Sequence, residues 1–234
     1  MPGPVPTPPR AEAVPGTAEP GADPGLPAVP PRYLDRVRAL LRAKPRRLLG
    51  LAGPPGAGKS TLAQALQQAF AEVAQVVPMD GYHLANAELA RLGRAARKGA
   101  PDTFDGAGYA ALLQRLRRQP PDEIVYAPDF RRELEEPVAG AIPVFAQTRL
   151  VITEGNYLLL DSGPWAGIAA LLDEVWWVDV DDALRQGRLR RRHEQFGRSP
   201  EDAAAWVSGT DEPNARLIAA TRPRATLEFR WGEA

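Results

Sequence analysis

Eight consecutive residues, Gly53-Pro54-Pro55-Gly56-Ala57-Gly58-Lys59-Ser60, carry the most specific chemistry in this chain. They fit the spacing G-x-x-x-x-G-K-[ST] between an apolar strand-like run and a helical one, which is the context that gives the spacing its meaning. Glycines let successive backbone N–H groups turn inward, and the start of the next helix adds the positive end of its dipole. The segment therefore reads as an anion cradle. Its expected nucleotide contacts run over Gly53, Pro54, Pro55, Gly56, Ala57, Gly58, Lys59, Ser60 and Thr61. Lys59 can reach the β- and γ-phosphates of a nucleotide, and Ser60 offers a hydroxyl to Mg²⁺.

Carboxylates at the ends of apolar runs come next. Leu150-Val151-Ile152-Thr153 leads into Glu154-Gly155, which makes Glu154 the expected metal-side acid, directly or through water. The competing reading is an exposed strand-end glutamate. Asp80 follows a second apolar run, and the C-terminal edge of an open α/β sheet is where ligands gather. It could accept a proton, orient an acceptor hydroxyl or contact metal-bound water; it could also be a turn aspartate before Gly81. Tyr82 and His83 follow. His83 could contact substrate, but a lone histidine is more often structural, and no metal-ligand constellation surrounds it. Asp105, in Pro101-Asp102-Thr103-Phe104-Asp105, suits either substrate binding or a helix N-cap. Arg185 to His193 is rich in arginine and could close over phosphates as a mobile helix, although most of these side chains also suit a solvated face.

The elements that must position these groups alternate. Tyr33, Leu34, Val37, Leu40 and Leu41 recur at helical spacing, ended by Pro45. Strands are expected at 48–52, 74–79, 123–127, 150–153, 174–180 and 226–231, and helices at 61–72, 106–118, 183–196 and most of 200–221. Residues 128–148 suit an irregular or hairpin insertion. This order predicts an α/β fold, a mainly parallel sheet with helices on both faces and a helical lid. Residues 1–30 are Pro, Gly and Ala without a periodic apolar face and read as a disordered tail, leaving 31–234 as one domain.

Composition narrows the classes. Formal net charge is zero, so nothing in the average charge suggests a nucleic-acid or membrane partner. The absence of cysteine excludes disulfides and thiolate metal sites and is compatible with the cytoplasm. No apolar run approaches the ~20 residues a membrane helix needs.

Taken together, GPPGAGKS, MDGYHLAN, LGRAARKGAPDTFD, YAPDFRRELEEPVAGAIPV, VITEGNYLL, RLRRRHEQFGRSPEDAAAWV and DEPNARLI resemble the uridine kinase and phosphoribulokinase group of P-loop kinases, and in particular bacterial proteins of the nucleoside/nucleotide kinase family. The likeness covers roughly residues 45–231. It implies transfer of the γ-phosphate of ATP to a hydroxyl of a small molecule, foremost a nucleoside, with pantothenate and sugar kinases sharing the framework. A regulatory NTPase is the alternative of a different class. The resemblance implies Asp80 as base, Asp105 as a binder of sugar hydroxyls, Glu154 at the metal, and Arg188 and Arg192 as lid arginines beside Lys59. Tyr82, His83, Phe104, Tyr126, Arg132 and Tyr157 are expected pocket walls. The lid reads Arg192-His193-Glu194 where uridine kinases commonly carry Arg-Asp. The expected partner is a small-molecule acceptor, with neither nucleic acid nor membrane, and a homodimer is left open.

Overall fold

The computed structural model describes residues 25–232. Most of the expected tail, residues 1–24, lies outside the described residues. Residues 25–30 form neither helix nor strand, yet Val29 is buried in the core beside Tyr33 and Val37.

The described elements run α1 (Pro31–Ala43), β1 (Arg47–Ala52), α2 (Lys59–Ala69), β2 (Ala74–Val76), α3 (Asn86–Arg91), α4 (Gly106–Arg117), β3 (Val125–Arg131), β4 (Glu136–Val144), β5 (Leu150–Gly155), β6 (Glu174–Val178), α5 (Asp182–Gln195), α6 (Pro200–Trp206), α7 (Glu212–Ala219) and β7 (Leu227–Phe229). A five-stranded sheet has the order β2-β5-β1-β6-β7, and every pairing in it is parallel. β3 and β4 form a separate antiparallel hairpin.

The central strands are apolar on both faces because both faces are covered. On one side Leu49, Leu51, Ile152, Trp176 and Val178 pack against α1 and α2. On the other, Leu48, Val151, Val175 and Trp177 pack with Tyr109, Leu112, Leu113 and Leu116 of α4. Each fully buried leucine contributes about 1.5–3 kcal/mol of transfer free energy. Tyr109 reaches through this layer, its hydroxyl 2.6 Å from Thr153 Oγ1 of β5.

Two departures from the sequence expectation matter for function. β2 stops at Val76 rather than at Met79. Pro78 has no N–H to continue the ladder, so the chain turns into a 3₁₀ segment, Met79–Tyr82, that carries Asp80. The strand expected at 123–127 instead runs to Arg131, absorbing Pro128 at an irregularity between Ala127 and Asp129. The expected insertion is thus a hairpin with long arms. Gly81 locks it to the Asp80 turn, because a Cβ there would lie 2.4 Å from the Pro128 carbonyl oxygen.

Candidate active site

The parallel register decides where the chemistry meets. β1 and β5 pair with Leu51 opposite Glu154, so the loop after β1 and the acid at the end of β5 emerge side by side. The loop turns through positive φ at Gly53, Gly56 and Gly58. Gly56 must also be small, since a Cβ there would meet the Arg185 carbonyl oxygen and Leu189 Cγ of α5, each at 2.9 Å. The root of the arginine-rich helix therefore rests directly on the cradle.

The floor is tied together by short bonds. Lys59, only 7% exposed, donates from Nζ to the carbonyls of Gly53 (3.0 Å) and Pro54 (3.1 Å) and to Asn156 Oδ1 (2.7 Å). Ser60 Oγ donates to Glu154 Oε1 at 2.9 Å, and Glu154 is itself buried. Burial lowers the Lys59 pKa, against the opposing pull of Glu154 and Asp80. Burial raises that of Glu154, and the nearby Asp80 charge raises it further, while Lys59 and Ser60 oppose the shift. A hydroxyl and two neighbouring carboxylates are hard oxygen donors that crowd negative charge. That set fits Mg²⁺, which takes one or two carboxylates and completes its shell with water and phosphate.

Above this floor lies a cavity of about 780 Å³. Pro55, Gly56, Gly58, Lys59, Ser60, Thr61, Asp80 and Glu154 line its base. One wall holds His83, Phe104 and Phe130, with ring centroids 4.0 Å apart for His83–Phe104 and 4.7 Å for His83–Phe130. His83 Nδ1 lies 2.7 Å from the Asp80 carbonyl oxygen, which can only accept, so Nδ1 carries the proton. Burial lowers the His83 pKa, favouring the neutral ring. Arg132 and Lys98 complete this wall. The opposite wall is α5, with Arg188 and Arg192, followed by Trp206, Asp211 and Asn214.

Several expected residues lie elsewhere. The Gly53 and Pro54 carbonyls serve Lys59, and the Ala57 side chain is buried in the core. Asp105 is exposed and caps α4, its Oδ1 accepting from Gly108 N at 2.8 Å, and it does not line the cavity. Tyr82 packs against Tyr109 outside the cavity lining, and burial, followed by the Asp105 charge, pushes its pKa up to about 12. Tyr157 is fully buried behind Phe104 and donates to the Gly99 carbonyl oxygen. Tyr126 is exposed on the hairpin, away from the cavity. Alternation along β3 puts Val125 and Ala127 inward and leaves Tyr126 outward.

Other site members are absent from the sequence expectation. Asn156 follows Glu154-Gly155 directly, so its position beside the strand end was a usable signal. His193 and Asp211 are joined at 2.8 Å across 18 residues of sequence, the latter at the end of a π-helical segment, Val207–Asp211, that no pattern marks. Arg185 is buried, bonded to Asp182 (3.0 Å) and Glu212 (2.6 Å), and anchors α5 to α7. No helix among the described residues is long and apolar enough to cross a membrane.

Known proteins place this arrangement in context. No family model matches the chain. An "ATP-dependent kinase-like protein notR′" of Aspergillus versicolor is 41% identical over 62% of this chain and 88% of its own length. A protein of Schizosaccharomyces pombe named "Putative uridine kinase C227.14" is 37% identical over 68% of this chain and 71% of its own. A solved structure titled "putative fructose transport system kinase", from Silicibacter sp. TM1040, is 38% identical, with a TM-score of 0.76, covering 84% of this chain and 97% of the other.

Proposed function

Because the chain belongs to the uridine kinase-like P-loop kinases and is an ATP-dependent phosphotransferase, we propose that it transfers the γ-phosphate of ATP to a hydroxyl of a small polyhydroxylated acceptor, foremost a nucleoside. The observation that carries this reading is the single cavity in which Lys59, Ser60 and Glu154 face Asp80 and an aromatic wall.

The cradle amides and Lys59 hold the β- and γ-phosphates. Ser60 and Glu154 would hold Mg²⁺, which when bound would neutralise phosphate charge. Asp80, on its 3₁₀ turn, receives the proton of the acceptor hydroxyl. The hydroxyl oxygen bonds to the γ-phosphorus as the bond to the β–γ bridging oxygen breaks, and ADP leaves with that electron pair. Arg188 and Arg192 take up charge from the lid side. Phe104, His83 and Phe130 give the acceptor ring faces, and neutral His83 offers its Nε2 lone pair to a hydroxyl.

A sugar acceptor is the second reading. It is favoured by the cap role of Asp105, which occupies the carboxylate expected to grip a nucleoside's sugar hydroxyls. ATP, Mg²⁺ and a panel of nucleosides, sugars and pantothenate, scored by mass spectrometry, test both readings. A phosphorylated nucleoside supports the first and a phosphorylated sugar the second. ATP hydrolysis indifferent to every acceptor would overturn both in favour of a regulatory NTPase.

A further inference from the structure

Arginines outside the cavity are commonly engaged by the protein itself. Arg46 donates to the carbonyls of Thr148, Leu116 and Ala146, and Arg131 pairs with Asp129 at 3.3 Å. The side chain of Arg132, the next residue, has no hydrogen bond or ion pair among the described residues. It lines the main cavity and also the smaller cleft beside it, and both spaces share Ser60, Asp80 and Glu154. Its guanidinium therefore stands beside the floor where phosphate and acceptor meet, on the acceptor side of it.

Arg192 faces it from α5 across the same cavity, its side chain also without a hydrogen bond or ion pair among the described residues. The two cations are close enough that, after burial, the Arg132 charge is the next largest cause lowering the Arg192 pKa. Asp211, Asp80 and Glu154 oppose that shift, yet none of them bonds the Arg192 side chain. Glu154, the buried acid below them, is already committed to Ser60. The backbone that carries Arg132 is anchored. Its hairpin is rooted on the Asp80 turn through Gly81 and Pro128, and its tip is tightened by Glu135 at φ 52°.

We propose that Arg132 is a catalytic residue, delivered by the β3–β4 hairpin to the γ-phosphoryl group opposite Arg192 of the lid, so that the transferring group closes a two-sided arginine clamp. The inference rests on the kinase reading above. In the loose transition state of phosphoryl transfer the charge spreads over three equatorial oxygens, and a planar guanidinium can bond two of them at once. Two arginines from opposite walls cover this charge without a contact to each other. Bond changes are those of the proposed transfer: the acceptor oxygen gains phosphorus, ADP leaves, and Asp80 holds the proton.

The test compares Arg132→Ala, Arg132→Lys and Arg132→Gln with the full chain, using the acceptor the panel identifies. We expect kcat to fall roughly 10²-fold or more in all three, with the KM values for ATP and acceptor within a few-fold and Tm unchanged; lysine should rescue poorly because it is a point charge. Calorimetric binding of ADP–Mg²⁺–aluminium fluoride should weaken in the variants while binding of ADP–Mg²⁺ does not. Arg132→Ala combined with Arg192→Ala should lose less than the product of the single losses. A raised acceptor KM with kcat and fluoride-analogue binding retained would make Arg132 a pocket wall and overturn the clamp. So would unchanged analogue binding in every variant. If no acceptor is phosphorylated the kinase reading fails, and the fluoride-analogue measurement still judges the clamp separately.

Discussion

The floor of the cavity and its walls hold similar charges in opposite conditions. On the floor, Lys59, Ser60 and Glu154 are bonded to protein partners at 2.7 to 3.1 Å. On the walls, the side chains of Arg132, Arg188 and Arg192 have no hydrogen bond or ion pair among the described residues. The floor rests on strand ends fixed by the parallel register, and its desolvation has already been met by folding. The walls ride on a hairpin and a helix that depend on a few anchors, among them Gly56, Gly81 and Arg185. Preorganised groups lower a barrier without reorganising, whereas unpaired cations are free to respond to a ligand. The site thus divides its work into a cradle that is ready before ATP arrives and a cover that the substrates complete.

Substitutions test that division. Lys59→Ala should have the largest effect, a fall in kcat of roughly 10³-fold or more, because no other described cation reaches the phosphates from the floor. Normal kcat at saturating ATP would show that the floor is not the phosphate site. Asp80→Asn keeps size and polarity but removes the charge that takes the proton. It should lower kcat roughly 10²-fold or more with ATP binding largely kept, and an unaltered kcat would return Asp80 to the role of a turn residue.

Glu154→Gln separates function from stability. Burial and the Asp80 charge raise the Glu154 pKa, so the folded state disfavours this carboxylate relative to the unfolded chain. The sign follows: between the unfolded and folded pKa values the native state binds the extra proton, and stability falls as pH rises through that window. Removing the charge should therefore leave the Tm of the ligand-free protein unchanged or raised, while Mg²⁺-dependent transfer is lost. A large drop in Tm would mean that the Lys59–Glu154–Ser60 set holds the fold together. The smallest effect belongs outside the cavity. Asp105→Ala should cost about 0.5–2 kcal/mol of stability through loss of the α4 cap, with kinetics little changed. A raised acceptor KM in that variant would extend the site beyond the described cavity.

The floor was legible because its signals are local. Eight residues specify the cradle, and an apolar run ending in Glu154 specifies a strand end; both rest on strand-to-loop junctions that short-range rules describe. The walls were partly legible. The arginine pattern of α5 marked Arg188 and Arg192, and Arg132 was expected as a pocket wall through resemblance. Tyr126 and Tyr157 show the limit: one aromatic points to solvent and the other into the core, and only the pairing of β3 and the packing around Trp165 separate them. Asp105 carried two readings that sequence could not rank, and the helix start at Gly106 settles its observed bond as a cap.

Sequence by itself determined the alternation of strands and helices, the anion-binding turn and the carboxylates at strand ends, because periodicity, glycine and burial act within a few residues of one another. Tertiary structure alone decided that Asp80 sits on a 3₁₀ turn beneath a hairpin, that Asn156 receives Lys59, that His193 meets Asp211, and that Arg132 faces Arg192. Those pairs lie up to 97 residues apart in the chain, and their proximity follows from strand order and close backbone approach, which no local pattern of side chains encodes.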